Sequence, residues 1–178
     1  TATMPANTAN VTTQYTSIGR KTPLLGNGSR TTGSSFPIRW FQSSNTADVA
    51  INDNSLTTVN AVVTGIPGTI PATGVFVNTY IMTHTFIGDL EMYLESPDGK
   101  ILKLVENKGG DGGITWEGFV GTVWTDAATA VMPAAVNSTT RDFRPDGSLS
   151  VGSAGIVPNI TSFAGFAGSP VNGTWRLH

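Results

Sequence analysis

The chain has no cysteine and little charge, with 10 Lys and Arg and 12 Asp and Glu among its 178 residues. The absence of cysteine excludes disulfides, thiolate nucleophiles and Cys-ligated zinc sites. The 12% of charged residues is about half the usual share for a soluble domain, so Thr, Asn, Ser and Gly must make the surface polar. The basic residues form no run, and we expect no nucleic-acid partner. No apolar stretch approaches about 18 residues, and we expect no membrane span.

The 21 glycines and 10 prolines interrupt the chain too often for helices of average length, but they leave room for short strands. This composition predicts an all-β protein. The length favours a single core domain. We place that domain at residues 46–178 and expect residues 1–45 to form an N-terminal arm and linker. The first residues lack the charged and apolar segments of a signal peptide, so we expect a soluble, processed chain.

The N-terminal arm is rich in Thr, Asn, Ser and Gly and has few apolar residues. Its most β-prone segment is Asn10–Ile18, in which Val11, Tyr15 and Ile18 are available for burial. The Gly- and Ser-rich stretch from Gly26 to Ser35 reads as a flexible linker. The arm either packs on its own domain or leaves it.

The clearest local pattern is a hairpin. Leu90, Met92 and Leu94 alternate with polar residues and precede the turn signal Ser96–Gly99, after which Ile101–Val105 returns antiparallel. We expect one face of this hairpin to carry the core, with Val75, Val77, Leu102 and Leu104 packed against it. Truncating side chains on that face should then lower the stability of the domain, whereas truncating those on the other face should not. Further strands are predicted at Val59–Thr64 and Val75–Met82, and a short helical turn capped by Asp126 at Asp126–Ala130.

Several segments in this order resemble the P domain, the β-sandwich that follows the catalytic domain in kexin-like and subtilisin-like proprotein convertases and occurs in bacterial secreted proteins. The resemblance runs from about Ala47 to Leu177. The segments that carry it are His84–Gly99, Gly109–Gly113, Trp124–Ala128, Phe143–Asp146 with Leu149 and Ser150, Phe163–Gly165 and Asn172–Leu177. It implies an antiparallel jelly-roll β-sandwich and an extracellular or cell-surface location.

This sequence departs from the family in two ways. Members of the family continue past the Gly-Thr-Trp motif into a closing strand, whereas this sequence stops at His178. It also carries neither protease motifs nor a protease domain, and its arm has no counterpart in the family. A sandwich without its closing strand has an open edge, which the missing sequence, the arm folded back or a strand from another molecule would cover.

The residues offer little for catalysis. The histidines are His84 and His178, and neither lies in a recognised catalytic motif. The resemblance to P domains implies that His84 makes a structural hydrogen bond. Glu91 and Glu95 form a nominal acid–base pair, but we interpret them as outward positions of the hairpin. We expect no enzymatic activity.

Calcium is the cofactor that the sequence favours. Asp89, Asp111 and Asp126 fall in motifs whose counterparts lie near calcium in some P domains, and loops that carry Asp among glycines suit a hard cation. The alternative is structural: Asp89 bonds amides at a turn, Asp126 caps a short helix, and Asp111 is solvated.

Three functions compete. The first is a non-catalytic extracellular subunit that polymerises into a filament or sheath, the arm of one molecule completing the sandwich of the next. The second is an accessory module of a secreted protease or hydrolase that stabilises the catalytic domain or binds substrate. The third is a carbohydrate-binding module that stacks sugars on Trp40, Trp116 or Trp124. We favour self-assembly through strand exchange.

Overall fold

The computed structural model describes six stretches of the chain. They are residues 49–52, 54–72, 75–79, 86–109, 122–134 and 142–178. All lie within one compact unit, Ala47–His178. The predicted arm, including Val11, Tyr15 and Ile18, lies outside these stretches, as do His84 and Asp111.

In the described part of the chain, the regular structure is strands and short 3₁₀ turns, so the all-β prediction is confirmed. The strands are β1 (Val59–Val63), β2 (Val77–Thr79), β3 (Glu91–Glu95), β4 (Ile101–Glu106), β5 (Thr122–Trp124), β6 (Asp142–Phe143) and β7 (Gly173–Leu177). They form a four-stranded sheet in the order β1-β7-β3-β4 and a three-stranded sheet in the order β2-β5-β6. The four-stranded sheet is antiparallel throughout. In the smaller sheet β5 and β6 run parallel, so the expectation of wholly antiparallel pairing is wrong there.

The hairpin predicted at β3 and β4 is confirmed. The amide of Ser96 donates to the carbonyl of Lys100, and Gly99 takes a φ of 82° that a side chain would strain. The Ser96 hydroxyl accepts from the Lys100 amide and donates to Asp98. The turn residues therefore close the hairpin in the way that their types predict.

The described residues form a hydrophobic core that contains side chains from both sheets. Leu90, Met92 and Leu94 are buried in it with Leu102 and Leu104, and Val75 and Val77 pack against it, as the alternation predicted. The smaller sheet contributes Trp124 and Phe143, whose rings lie 5.9 Å apart. Trp124 is fully buried and donates from Nε1 to the Thr79 hydroxyl. It therefore cannot serve as an exposed sugar platform.

A β-bulge shifts the phase of β4. Met92 pairs with Val105 and Tyr93 pairs with Lys103, so Leu104 is an extra residue on β4. Leu104 and Val105 are consequently both buried in the core. The bulge also brings Lys103 and Glu106 to the same outer face of the sheet, opposite Tyr93 and Glu91.

The outer face of the hairpin is not solvent-facing, which corrects the prediction that only one face would be costly to truncate. Tyr93 and Lys103 are buried on this face. Residues 146–160, which we call the strap, bond to the far edge of β4: Asp146 donates to the carbonyl of Leu104 and Asn159 to that of Ile101. The strap, which is distant in sequence, therefore buries the outer face of the hairpin, although the alternation of apolar and polar residues in the hairpin predicts that this face is polar.

The short helix predicted at Asp126–Ala130 does not form, and these residues make a turn and a bend. In addition, no helix among the described residues is long and apolar enough to cross a bilayer.

Candidate functional site

The outer face of the four-stranded sheet carries most of the polar chemistry in the described residues. Because successive side chains of a strand alternate between faces, Glu91, Tyr93 and Glu95 share this face. Arg176 and Asn60 join them, since Asn60 pairs with Arg176 and Arg176 with Glu95 across the strands. One part of this face lies under the strap, and the other carries a second polar network on β1, β7 and β3.

Under the strap, Lys103 is the centre of a buried polar cluster. Its side chain has 0% relative exposure, and its Nζ donates to Glu106 Oε2 at 2.6 Å and to Ser150 Oγ at 2.7 Å. The ammonium also lies 5.8 Å from the centre of the Tyr93 ring, within the range of a cation–π interaction. A buried ammonium is tolerated only when it is paired and hydrogen-bonded, and this one is.

Glu91 anchors the other end of the strap. Its carboxylate accepts the Ser153 amide at 3.1 and 3.0 Å and the Tyr93 hydroxyl at 3.1 Å. Burial alone would raise the pKa of Glu91, but the hydrogen bonds from Ser153 and Tyr93 and the charge of Lys103 outweigh it and lower that pKa. Burial, the hydrogen bond to Glu91 and the nearby carboxylates together raise the pKa of Tyr93.

Gly152 allows the strap to approach this cluster. A Cβ at this position would lie 1.9 Å from the Tyr93 hydroxyl and 2.2 Å from Glu91 Oε2. No side chain fits without moving the strap. The glycine is required here by close contact and not by its backbone angle.

The second network links β1, β7 and β3 through His178. The His178 ring lies 2.9 Å from the Thr58 hydroxyl at Nδ1 and 2.6 Å from Glu95 at Nε2. Arg176 pairs with the other oxygen of Glu95 at 2.9 Å. Backbone hydrogen bonds in both directions between His178 and Tyr93 fix the ring beside β3. The sequence gives no signal for this network, because Thr58 and Glu95 are 120 and 83 positions away from His178 along the chain.

A hydroxyl, an imidazole and a carboxylate in series are also the components of acyl-transfer triads. Here the carboxylate is shared with Arg176, and Thr58 is an exposed residue beside the strand β1. We interpret the series as a tether that holds three strands together. This tether lies at the β1 end of the sheet.

Of the three aspartates predicted to bind calcium, Asp126 and Asp89 are described by the structure, and they differ in their contacts. Asp126 accepts the amides of Phe163 at 3.0 Å and Ala164 at 2.9 Å, one on each carboxylate oxygen, so it caps the 3₁₀ turn Phe163–Phe166. Asp89 is exposed in the 3₁₀ turn Ile87–Asp89. Within the described stretches no group of three His, Asp or Glu side chains is arranged to hold a metal. Asp111 lies outside those stretches, so calcium binding stays a prediction.

Two asparagines join distant loops. The side chain of Asn172 accepts the Ile66 amide at 3.0 Å and donates to the Ile66 carbonyl at 2.8 Å, as a neighbouring strand would. Asn159 accepts the Ile101 amide at 2.7 Å and donates to the Gly99 carbonyl at 3.0 Å. Both begin Asn-x-Thr sequences. Each amide is already occupied in the folded chain, which gives these asparagines a structural role.

Exposed apolar side chains lie in and just before β1 and on the strap. Leu56 and Val62 mark the β1 end, and Leu149, Val151 and Val157 mark the strap. Residues 54–88 and 147–175 contain no Asp, Glu, Lys or Arg. Surfaces that are both apolar and uncharged are characteristic of interaction sites.

No protein-family model matches the sequence, and neither the curated proteins nor the solved structures give a significant match.

Proposed function

We propose that the chain is a non-catalytic extracellular subunit that self-assembles into a filament or sheath through inter-subunit strand complementation. In this proposal the body is a jelly-roll sandwich similar to a P domain. The arm of one molecule adds a strand to the sandwich of the next, with Val11, Tyr15 and Ile18 filling apolar positions there.

The observation that carries the proposal is the exposed apolar surface at the β1 end. Val49, Ile51, Leu56 and Val62 are all exposed, and they lie in the segment that leads into β1 and in β1 itself. Val62, at 61% relative exposure, would gain from burial about 1.5 kcal/mol or more if it were covered completely. Exposed apolar surface of this kind is typical of sites that contact another molecule.

The strap makes the β4 edge of the four-stranded sheet a poor place for strand addition. At the β4 end, the strap already supplies donors to the carbonyls of Ile101, Lys103 and Leu104. Strand addition uses a sheet edge whose backbone donors and acceptors can pair with an incoming segment. The arm precedes β1 in sequence, and its Gly- and Ser-rich stretch gives it the reach to leave its own domain.

Electron microscopy of the purified chain tests the proposal, with regular fibres as the expected result. Deleting residues 1–20 should abolish the fibres, and a synthetic peptide covering Asn10–Ile18 should bind the truncated chain and raise its melting temperature. A peptide with Val11, Tyr15 and Ile18 replaced by Ser is the matched control. Fibres that persist unchanged after the deletion would refute strand donation by this arm.

The alternative is an accessory module of a secreted protease or hydrolase. It is supported by the pairing of β3 with β7, since two of the segments that resemble P domains are neighbours in one sheet. In that case the exposed apolar surfaces would pack against a catalytic domain. A chain that stays monomeric at every concentration would favour this alternative.

A further inference from the structure

Thr58, His178 and Glu95 form one row across three strands on the outer face of the larger sheet. In the register of β1 with β7, Thr58 is one residue before β1 and lies opposite His178, one residue after β7. His178 and Tyr93 exchange two backbone hydrogen bonds. Glu95, two positions further along β3, therefore lies on the same face as Tyr93 and the imidazole ring. The pairing of the strands brings the three side chains together.

The hydrogen bonds of the row define the roles of the two ring nitrogens. Glu95 also pairs with Arg176, and a carboxylate in an ion pair only accepts hydrogen bonds. The Nε2 atom, 2.6 Å from Glu95, therefore carries the proton on that side of the ring. When the ring is neutral, Nδ1 has a lone pair and accepts the Thr58 hydroxyl at 2.9 Å. This is the arrangement in which an imidazole acts as a base toward a hydroxyl.

The row is open at the hydroxyl and enclosed at the base. Thr58 is exposed, whereas the side chains of His178 and Glu95 have 12% and 19% relative exposure. A threonine hydroxyl is a weak nucleophile unless an adjacent base removes its proton. Thr58 has such a base, and a reagent can approach its hydroxyl from the solvent.

We propose that Thr58 is an acyl-acceptor nucleophile, activated by His178, through which the chain takes up an acyl group from an ester. The hydroxyl proton moves to His178 Nδ1 as Thr58 Oγ1 attacks the carbonyl carbon of the donor. The imidazolium then gives that proton to the departing alkoxide, which leaves as an alcohol. The ester bond of the donor breaks, a Thr58 ester forms, and no further reactant is consumed. Glu95 is the positioning residue that holds the ring.

The donor that suits this site is an ester with an uncharged acyl group. Residues 54–88, which surround Thr58 in the sequence, contain no Asp, Glu, Lys or Arg, so they offer no partner for a charged group. The uptake is one covalent modification of each chain. It goes beyond the proposed self-assembly and does not depend on it, and a chain can assemble without reacting or react without assembling.

The full chain treated with p-nitrophenyl acetate tests the proposal. Samples are quenched in acid over a time course, and peptide mapping by mass spectrometry locates the acetyl groups. Thr58 should be acetylated at least about tenfold faster than Thr64, because general-base assistance typically accelerates such a step by two or more powers of ten. Thr64 is the matched control, since it is an exposed threonine just after the other end of β1.

Four variants separate activation from a purely structural role of the row. Thr58→Ser should keep the rapid acetylation, and Thr58→Val, which has a similar shape without the hydroxyl, should lose it. His178→Gln can still bond both neighbours but is not a base, so acetylation of Thr58 should fall to the rate of Thr64. Glu95→Gln should slow it as well. Circular dichroism of each variant establishes that it is folded.

Release of p-nitrophenolate is the second measurement, and it detects an acetyl group that is lost again by hydrolysis. The unmodified chain should show a release that Thr58→Val lacks. Equal release by these two chains, together with acetylation of Thr58 no faster than that of Thr64, would overturn the proposal. Rapid acetylation of Thr58 that survives in folded His178→Gln would also overturn it, because the imidazole would then not be the base.

Discussion

Lys103 and Glu106 form a 2.6 Å ion pair on the same face of β4, although they are three positions apart along a strand. Such a spacing places side chains on opposite faces of a regular strand. The bulge at Leu104 removes this conflict, because Glu106 then pairs with Glu91 and Lys103 with Tyr93. The Lys103 ammonium thus lies among the carboxylates of the hairpin and holds the strap through Ser150.

The ion pair predicts that the domain loses more stability when Glu106 is removed than when Lys103 is removed. Glu106→Ala leaves the buried ammonium with one fewer charged partner and should lower the free energy of unfolding by about 1.5 to 3 kcal/mol. Lys103→Met keeps most of the side-chain volume, and the partly exposed Glu106 can turn to water, so this variant should lose less. Urea unfolding measures both. A larger loss for Lys103→Met would contradict the role assigned to the ammonium.

The core face of β3 gives a simpler prediction. Leu94→Ala should destabilise the domain by about 2 to 5 kcal/mol, because the site is enclosed by the core of both sheets. Val62→Ala, on the exposed face of β1, should change the stability of the monomer by less than about 0.5 kcal/mol. Thermal and urea denaturation of both variants below the assembly concentration provides the comparison. Similar losses would mean that the core does not lie where the alternation and the burial place it.

The close approach of Gly152 to Tyr93 predicts that Tyr93→Phe reduces the loss of stability caused by Gly152→Ala. Gly152→Ala should cost about 1 to 3 kcal/mol, because its Cβ would overlap the Tyr93 hydroxyl and the strap would have to move. In the Tyr93→Phe background the hydroxyl is gone, and the cost of Gly152→Ala should be smaller. A double-mutant cycle by urea unfolding measures this coupling. Additive losses would show that the Tyr93 hydroxyl does not set the cost of a Cβ at this position.

The lowered pKa of Glu91 predicts a pH dependence with a definite sign. Folding favours the charged carboxylate, since its pKa falls from the ordinary value of 4.5. This stabilisation is complete above about pH 4.5 and is lost as the pH falls through the lower pKa of the folded chain. The unfolding free energy of the wild type should therefore fall more steeply between pH 5 and 2 than that of Glu91→Gln. Parallel pH profiles would rule out this role for Glu91.

The cap made by Asp126 predicts a metal-independent effect. Asp126→Ala should cost about 1 to 2 kcal/mol even with a chelator present, since the carboxylate acts on the amides of Phe163 and Ala164 directly. If calcium also binds through Asp89 and Asp111, chelation should lower the melting temperature of the wild type by a further amount. An Asp126→Ala variant that is destabilised only in calcium would show that this carboxylate works through a metal.

The sequence predicted the parts of the fold that depend on local pattern. The alternation of Leu90, Met92 and Leu94 and the turn at Ser96–Gly99 placed β3, β4 and one side of the core, because period-2 burial and turn chemistry are local properties. The parallel pairing of β5 with β6 has no such signal. Strand partners that are distant in sequence are set by tertiary packing.

The polar clusters could not be predicted from the sequence for a related reason. A bulge at Leu104 follows from how two strands meet, and nothing in the local pattern of β4 marks it. Asp126 was predicted to cap its own segment, but it caps the turn that begins at Phe163, a contact across the fold. His178 takes its role from Thr58 and Glu95, which β1 and β3 bring to either side of it.

Sedimentation velocity of the full chain over a concentration series tests the central claim, self-assembly through the arm, most directly. The unmodified chain should sediment as large species that grow with concentration. The variant Val11→Asp with Tyr15→Asp and Ile18→Asp should stay monomeric, whereas Thr12→Asp with Thr16→Asp, which adds charge to the same segment without removing its apolar side chains, should still assemble. An unmodified chain that remains a monomer throughout the series, or an arm variant that assembles as well as the unmodified chain, would contradict the account.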